Sequence, residues 1–158
     1  MKRYFLTLLI IPIILSCSEK VVVNADSVDT ITYAFFDSSV PPAYHRSFVI
    51  KLTRTNVAIV VDSYGDVLAE DSMAIAVEDF NHVIEVINEA NLVSFESRVE
   101  DCEGGTSEKL SISVAGEEVY TGNFDHCGGS VIPAKAGAVE DVVQTIISLI
   151  PNLQDYLQ

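Results

Sequence analysis

The chain has 158 residues, of which 49% are hydrophobic and 20% are charged, a balance typical of a folded globular protein. Its formal charge is −14, so its surface would repel phosphate backbones and anionic lipid headgroups. This composition argues against nucleic-acid binding and against electrostatic docking on a membrane.

The first sixteen residues have the layout of a secretory signal peptide. Lys2 and Arg3 give a positive start, an apolar run follows from residue 4 to residue 15, and the small Ser16 stands directly before Cys17. The apolar run is too short to span a bilayer as a permanent helix. Removing residues 1–16 would leave 142 residues with a formal charge of −16, enough for one domain with a single core.

The stretch Ile14-Leu15-Ser16-Cys17 resembles the lipobox of bacterial lipoproteins, although Leu15 is larger than the residue usual at its position. The resemblance implies that Cys17 is lipidated and becomes the new N-terminus, so that the lipid holds the protein on the membrane. It also implies that Ser18, where an aspartate would retain a lipoprotein at the inner membrane, favours the outer membrane of the cell envelope, on its periplasmic or its surface face. The alternative is an ordinary cleaved signal peptide with an incidental Cys17.

The mature chain is divided into a tether and one domain. Residues 17–29 are polar and lack helical periodicity, which predicts a lipidated cysteine followed by a tether. Residues 30–158 are expected to form a single domain, whose first strand is predicted from Ile31 to Phe36 by its β-branched and aromatic residues.

A loop follows this strand, because Pro41 and Pro42 forbid continued strand pairing. Tyr44, His45 and Arg46 come next, on backbone that we expect to be exposed. Loops held by a rigid scaffold often carry binding residues, so these five residues form a candidate binding loop. The alternative is a solvated connector.

Alternating apolar residues at positions 48–52 and 57–61 predict a hairpin with one buried face, whose second strand is central. Another strand is expected from Val67 after the turn at Gly65. The period then changes, and a helix is predicted over 77–92 with Phe80, Val83, Ile84 and Ile87 on its apolar face. His82 falls on the opposite face among carboxylates, so we expect it to be solvated and without a catalytic role.

Cys102 and Cys127 flank a second predicted hairpin, built from alternating residues at 110–114 and a return strand at 119–124. In an oxidising compartment this even pair is expected to form a disulfide that staples the open end of the hairpin. A thiol nucleophile or metal site beside His126 is the alternative. The chain has no Cys-x-x-Cys and only three scattered histidines, so no metal or cofactor is predicted.

A final helix is predicted after Pro133, and Pro151 is expected to end it. Its apolar face comprises Val139, Val142, Val143, Ile146 and Ile150, and Leu153, Tyr156 and Leu157 are expected to fold back onto the core. The complete pattern predicts an α+β two-layer sandwich, with a mostly antiparallel sheet of five to six strands and two helices on one face.

This layout resembles small Gram-negative, Bacteroidota-like envelope lipoproteins with a domain of unknown function, and the resemblance implies no catalytic residues. The sequence also lacks Gly-x-Ser-x-Gly and His-Glu-x-x-His motifs. We therefore expect a non-catalytic binding domain with an envelope protein as possible partner, acting through residues 41–46 or the acidic loop 96–105. The alternatives are a small envelope hydrolase, since triads can assemble from distant residues, or an inhibitor of a periplasmic enzyme.

Overall fold

A computed structural model of the protein describes residues 20–96, 104–127, 130–131 and 138–158, with the backbone alone at 95–96, 127 and 130–131. The signal peptide and Cys17 lie outside the described residues. So do Cys102, the side chain of Cys127 and most of the acidic loop 96–105. The lipidation site, the disulfide and that loop therefore stay predictions.

Within the described residues, one open sheet has eight strands in the order β4-β3-β2-β1-β6-β7-β5, with β8 pairing beside β7. Six strands are long and pair antiparallel with their neighbours, whereas the two-residue β5 pairs parallel with β7. The predicted α+β class with a mostly antiparallel sheet is confirmed. The strands are β1 Val28–Phe36, β2 Ser47–Thr53, β3 Asn56–Ser63, β4 Asp66–Ala74, β5 Phe95–Glu96, β6 Thr106–Val114, β7 Glu117–Cys127 and β8 Ser130–Val131.

Period-two alternation explains why these segments form strands. In β3, buried Val57, Ile59 and Val61 alternate with half-buried residues, as expected when one face of a sheet is packed. Both predicted hairpins are confirmed, and their strands extend beyond the predicted limits. β3 lies between β2 and β4, so it is an interior strand next to the edge of the sheet.

Three helices complete the described fold: α1 Val77–Glu89, α2 Val139–Ser148 and α3 Leu153–Tyr156. The apolar faces predicted for the two long helices are buried and belong to the same core as the sheet. The predicted return of the C-terminus is confirmed, since Leu153, Tyr156 and Leu157 pack against this core. His82 is exposed beside Glu85, 3.6 Å away, so its expected solvated position is confirmed.

Residues 20–27, which fall within the predicted tether, lie against the domain. The backbone N–H of Val21 donates to the carbonyl of Leu92 at 2.8 Å. The side-chain amide of Asn88 bonds to both backbone groups of Val23, accepting from its N–H and donating to its carbonyl, each at 2.9 Å. Val23 is buried in the core. These contacts fasten the start of the domain to the end of α1.

Candidate functional sites

The connection from β1 to β2 is a loop at one end of the sheet that is held in place by hydrogen bonds. The carboxylate of Asp37 accepts hydrogen bonds from the backbone N–H groups of Ser38 and Arg46, at 2.8 and 2.9 Å. The backbone N–H of Asp37 donates to the hydroxyl of Ser47 at 3.0 Å. One aspartate therefore holds both ends of the loop, as short polar side chains often do in turns.

Tyr64, in the two-residue turn between β3 and β4, fastens the same loop from the side. Its hydroxyl donates to the carbonyl of Val40 at 2.6 Å, and its ring stacks on His45 with centroids 4.0 Å apart. The hydroxyl of Ser63 adds a bond to the carbonyl of Pro42 at 2.9 Å. Tyr64 has a backbone φ of 53°, a left-handed conformation that costs a non-glycine residue free energy.

The expectation that His45 is an exposed contact residue is wrong. It is 6% exposed, because its ring is covered by Tyr64 and its Nε2 lies 3.4 Å from the hydroxyl of Ser47. Arg46 is half-buried, and its guanidinium donates to the carbonyl of His45 at 2.7 Å. The loop thus presents Pro41, Pro42 and Tyr44 to solvent, and Tyr44 is 74% exposed.

Exposed apolar side chains concentrate at this end of the sheet. The described part of the chain has seven exposed large apolar side chains, and five belong to the end of β1, the loop, the β3–β4 turn and the start of β4. We call these five the loop-end surface: Phe36, Tyr44, Tyr64, Val67 and Leu68. The other two, Val22 and Val119, lie near the start of β1, at the opposite end. Clustered exposed apolar residues mark interaction sites more often than scattered ones.

A second candidate site is a cavity of about 260 Å³ between the sheet and α2. A chain of hydrogen bonds crosses its strand side: the Tyr33 hydroxyl donates to one carboxylate oxygen of Glu108 at 2.9 Å, and Nε2 of His126 lies 2.8 Å from the other. We call this the Tyr33–Glu108–His126 chain. The described residues that line the cavity are Tyr33, Glu108, Phe124, His126, Val139, Glu140, Val143, Gln144 and Ile147.

Three strands bring this chain together. Tyr33 pairs with Leu110 across β1 and β6, and Glu108 precedes Leu110 by two residues, so its side chain shares the same face. His126 follows Phe124 by two residues on β7, and Phe124 pairs with Glu108. Burial, the charge of Glu108 and their hydrogen bond all raise the pKa of Tyr33, which keeps its hydroxyl protonated as a donor.

The sequence prediction missed this cluster, because it considered His126 as the neighbour of Cys127 and did not pair it with Glu108 or Tyr33. A signal was present, because Glu108 and His126 extend the apolar alternation of their strands by one step each. The contact of Tyr33 with Glu108 could not be predicted from a local pattern, because it depends on the pairing of β1 with β6 across 75 residues.

The cavity supplies an oriented histidine but no nucleophile. Glu108 can hold the imidazole of His126 in one orientation, as acids do in catalytic triads. No serine, threonine or cysteine is among the described residues that line the cavity, however. Nor do the described residues contain a group of three or more His, Cys, Asp or Glu side chains placed to hold a metal ion. The described helices are all too short or too polar to cross a membrane.

Comparison with family models, curated proteins and solved structures finds no match to this chain.

Proposed function

We propose that this protein is an outer-membrane lipoprotein, anchored through a lipid on Cys17, whose single domain binds another protein of the cell envelope without catalysing a reaction. The binding site is the loop-end surface. The domain is a two-layer sandwich with α1 and α2 on one face of the sheet, which leaves the end of the sheet open to a partner.

The observation that carries this proposal is the placement of five of the seven exposed large apolar side chains at one end of the domain. Water contact with such a cluster is unfavourable, and burial against a partner removes it. Two members are tyrosines, which supply a large contact area at low conformational entropy cost and are enriched in interface centres. The bonds of Asp37 and Tyr64 hold the loop in place, so little further order would be lost on binding.

The position of this surface also suits a tethered protein. β1 has nine residues, about 30 Å at 3.3 Å per residue, and it begins beside the N-terminal segment and ends at the loop. A lipid on Cys17 would hold the start of β1 near the membrane, so the loop-end surface would point away from it.

Site-specific photo-crosslinking in cells tests the binding site. A photoreactive phenylalanine analogue at Tyr44 should give a discrete crosslinked adduct with full-length protein, and the same analogue at Val119, at the other end of the sheet, should not. Adding Leu68→Ser to the Tyr44 probe should reduce the adduct severalfold by removing a neighbouring contact. Equal adducts at both positions, or no effect of Leu68→Ser, would remove the loop-end surface as the binding site.

The anchor is tested separately by labelling cells with a fatty-acid precursor. The wild-type chain should incorporate the label and Cys17→Ala should not. Label that persists in Cys17→Ala would contradict anchoring at this cysteine, whatever the crosslinking shows.

A small hydrolase is a second candidate, favoured by the contact between Glu108 and His126 in a cavity. It ranks lower because the cavity lacks a described nucleophile, although His126 could activate water as a general base. Under this alternative, His126→Gln would abolish hydrolysis of small ester or amide substrates, whereas the binding function predicts no such hydrolysis by the wild-type protein.

A further inference from the structure

We infer that the cavity beside the Tyr33–Glu108–His126 chain binds a small organic cation, a primary amine with a short apolar tail. This site is separate from the loop-end surface, and the inference does not depend on the proposed protein partner. Each can fail without the other.

The charged end of the ligand is specified by Glu108. Its carboxylate accepts one bond from Tyr33 and one from His126, and a carboxylate has about four acceptor positions, so capacity remains on both oxygens. Glu108 is about one quarter exposed, so its charge reaches the cavity without being fully screened by water. A second carboxylate, that of Glu140, stands on the exposed side of α2 at the same cavity.

An anionic ligand is disfavoured in this cavity. No lysine or arginine is among the described residues that line the cavity, so an anionic ligand would face the carboxylate of Glu108 with neither of these permanent cations to compensate it. The formal charge of −14 for the whole chain further raises the local concentration of cations.

The apolar tail is specified by the rest of the lining. Val139, Val143 and Ile147 form a row along α2, facing the strands. Tyr33 and Phe124 add aromatic rings, which also attract cations to their faces. A volume of about 260 Å³ falls just below the range usual for drug-sized ligands, about 300 to 1,000 Å³, so the ligand must be small.

The test uses the full-length protein in detergent and three four-carbon probes of different charge: n-butylammonium, 1-butanol and butyrate. Binding is followed by the NMR signals of the histidine rings, at an ionic strength held constant with sodium chloride. n-Butylammonium should shift the His126 signals saturably, with a dissociation constant at least tenfold lower than that of either other probe. His82 is an internal control, because it also lies beside a glutamate, Glu85, but on an exposed helix face.

Two variants separate the charge of Glu108 from its bonds. Glu108→Gln should weaken n-butylammonium binding at least tenfold, whereas Glu85→Gln, a matched loss of charge beside His82, should change it less than twofold. Tyr33→Phe keeps the carboxylate and frees one acceptor position, so it should bind the amine as tightly as wild type or more tightly, even if Glu108→Gln fails to fold. The inference is overturned if His82 and His126 shift in parallel, if butanol or butyrate binds as well as the amine, or if Tyr33→Phe weakens amine binding tenfold.

Discussion

Two of the tight turns of the described sheet share a backbone conformation, so the contribution of the Tyr64 side chain can be separated from that of its conformation. Tyr64-Gly65 and Ala115-Gly116 each join two antiparallel strands, and their first residues share a φ of 53°. Asparagine tolerates this left-handed conformation better than either residue present. Replacing Ala115 with asparagine should therefore raise the free energy of unfolding by about 0.5 to 1 kcal/mol.

Replacing Tyr64 with asparagine should instead lower the free energy of unfolding. It gains the same backbone relief, but it loses the hydroxyl bond to Val40, about 0.5 to 1.5 kcal/mol, and the stacked contact with His45, about 0.5 to 1.5 kcal/mol. The expected net effect of Tyr64→Asn is a loss of about 1 kcal/mol, within a range of about 0 to 2.5 kcal/mol from these figures. Tyr64→Phe removes the hydroxyl alone and should lose about 0.5 to 1.5 kcal/mol.

Urea unfolding of the wild type and the three variants measures these differences, with equal slopes as the check that the comparison is valid. Amide hydrogen exchange at Val40 and residues 43–46 should accelerate in Tyr64→Asn and stay unchanged in Ala115→Asn, because Tyr64 bonds to the loop whereas Ala115 lies in a turn at the other end of the sheet. The reasoning is refuted if Tyr64→Asn stabilises the protein as much as Ala115→Asn does, since the bonds of Tyr64 to the loop would then contribute nothing.

Further predictions concern buried polar groups. Tyr33→Phe loses a bond to a charged acceptor and should cost about 1 to 3 kcal/mol in urea unfolding, whereas Tyr120→Phe removes a buried hydroxyl that has no partner in the described structure and should gain about 1 kcal/mol. Burial raises the pKa of Tyr120 to about 12, and the pKa of Tyr33 is also raised above the ordinary value of about 10. The folded state therefore holds these two protons more tightly than the unfolded state does, so the free energy of unfolding should fall as the pH increases above about 10. The fall should be less steep in Tyr33→Phe and in Tyr120→Phe, since each variant lacks one of the two groups. Gly122→Ala would place a Cβ 2.5 Å from the Tyr120 hydroxyl and should destabilise by about 1 to 3 kcal/mol, and less in the Tyr120→Phe background, as a double-mutant cycle would show. Asn88→Ala removes both bonds to Val23 and should cost about 1 to 3 kcal/mol and expose residues 20–24 to proteolysis.

The elements of this fold were predictable because its sequence periodicities are strong. The helix face of Phe80, Val83, Ile84 and Ile87 is buried as its spacing predicts, since only one side of that helix can meet the core. The first and last residues of the elements were harder to predict than the elements themselves. β1 begins at Val28, three residues before its predicted start, because pairing with β6 extends through the polar residues at 29–30.

The sites were harder to predict than the elements, because a side chain's direction in a loop has no period. His45 follows two prolines on a connector, yet its ring is buried by Tyr64, which lies in a different turn. Likewise, the partner of Tyr33 is fixed by which strands are neighbours in the sheet. β1 and β6 are far apart in sequence, and local patterns carry no information about that pairing.

The strand topology gives the domain two different ends, one beside the N-terminal segment and one that carries the loop-end surface. Residues 21–23 are bonded to Leu92 and Asn88, so any tether must end before Val21. Were Cys17 lipidated, the three residue steps from it to Lys20 would reach at most about 10 Å, and the start of β1 would be held close to the membrane. Each of the first three strand connections reverses the chain, so the β1–β2 loop and the β3–β4 turn must share the far end of the sheet. The same strand order that lets Tyr64 cover His45 thus separates the loop-end surface from the N-terminal end of the domain, because two strands, β2 and β3, lie between the two connections.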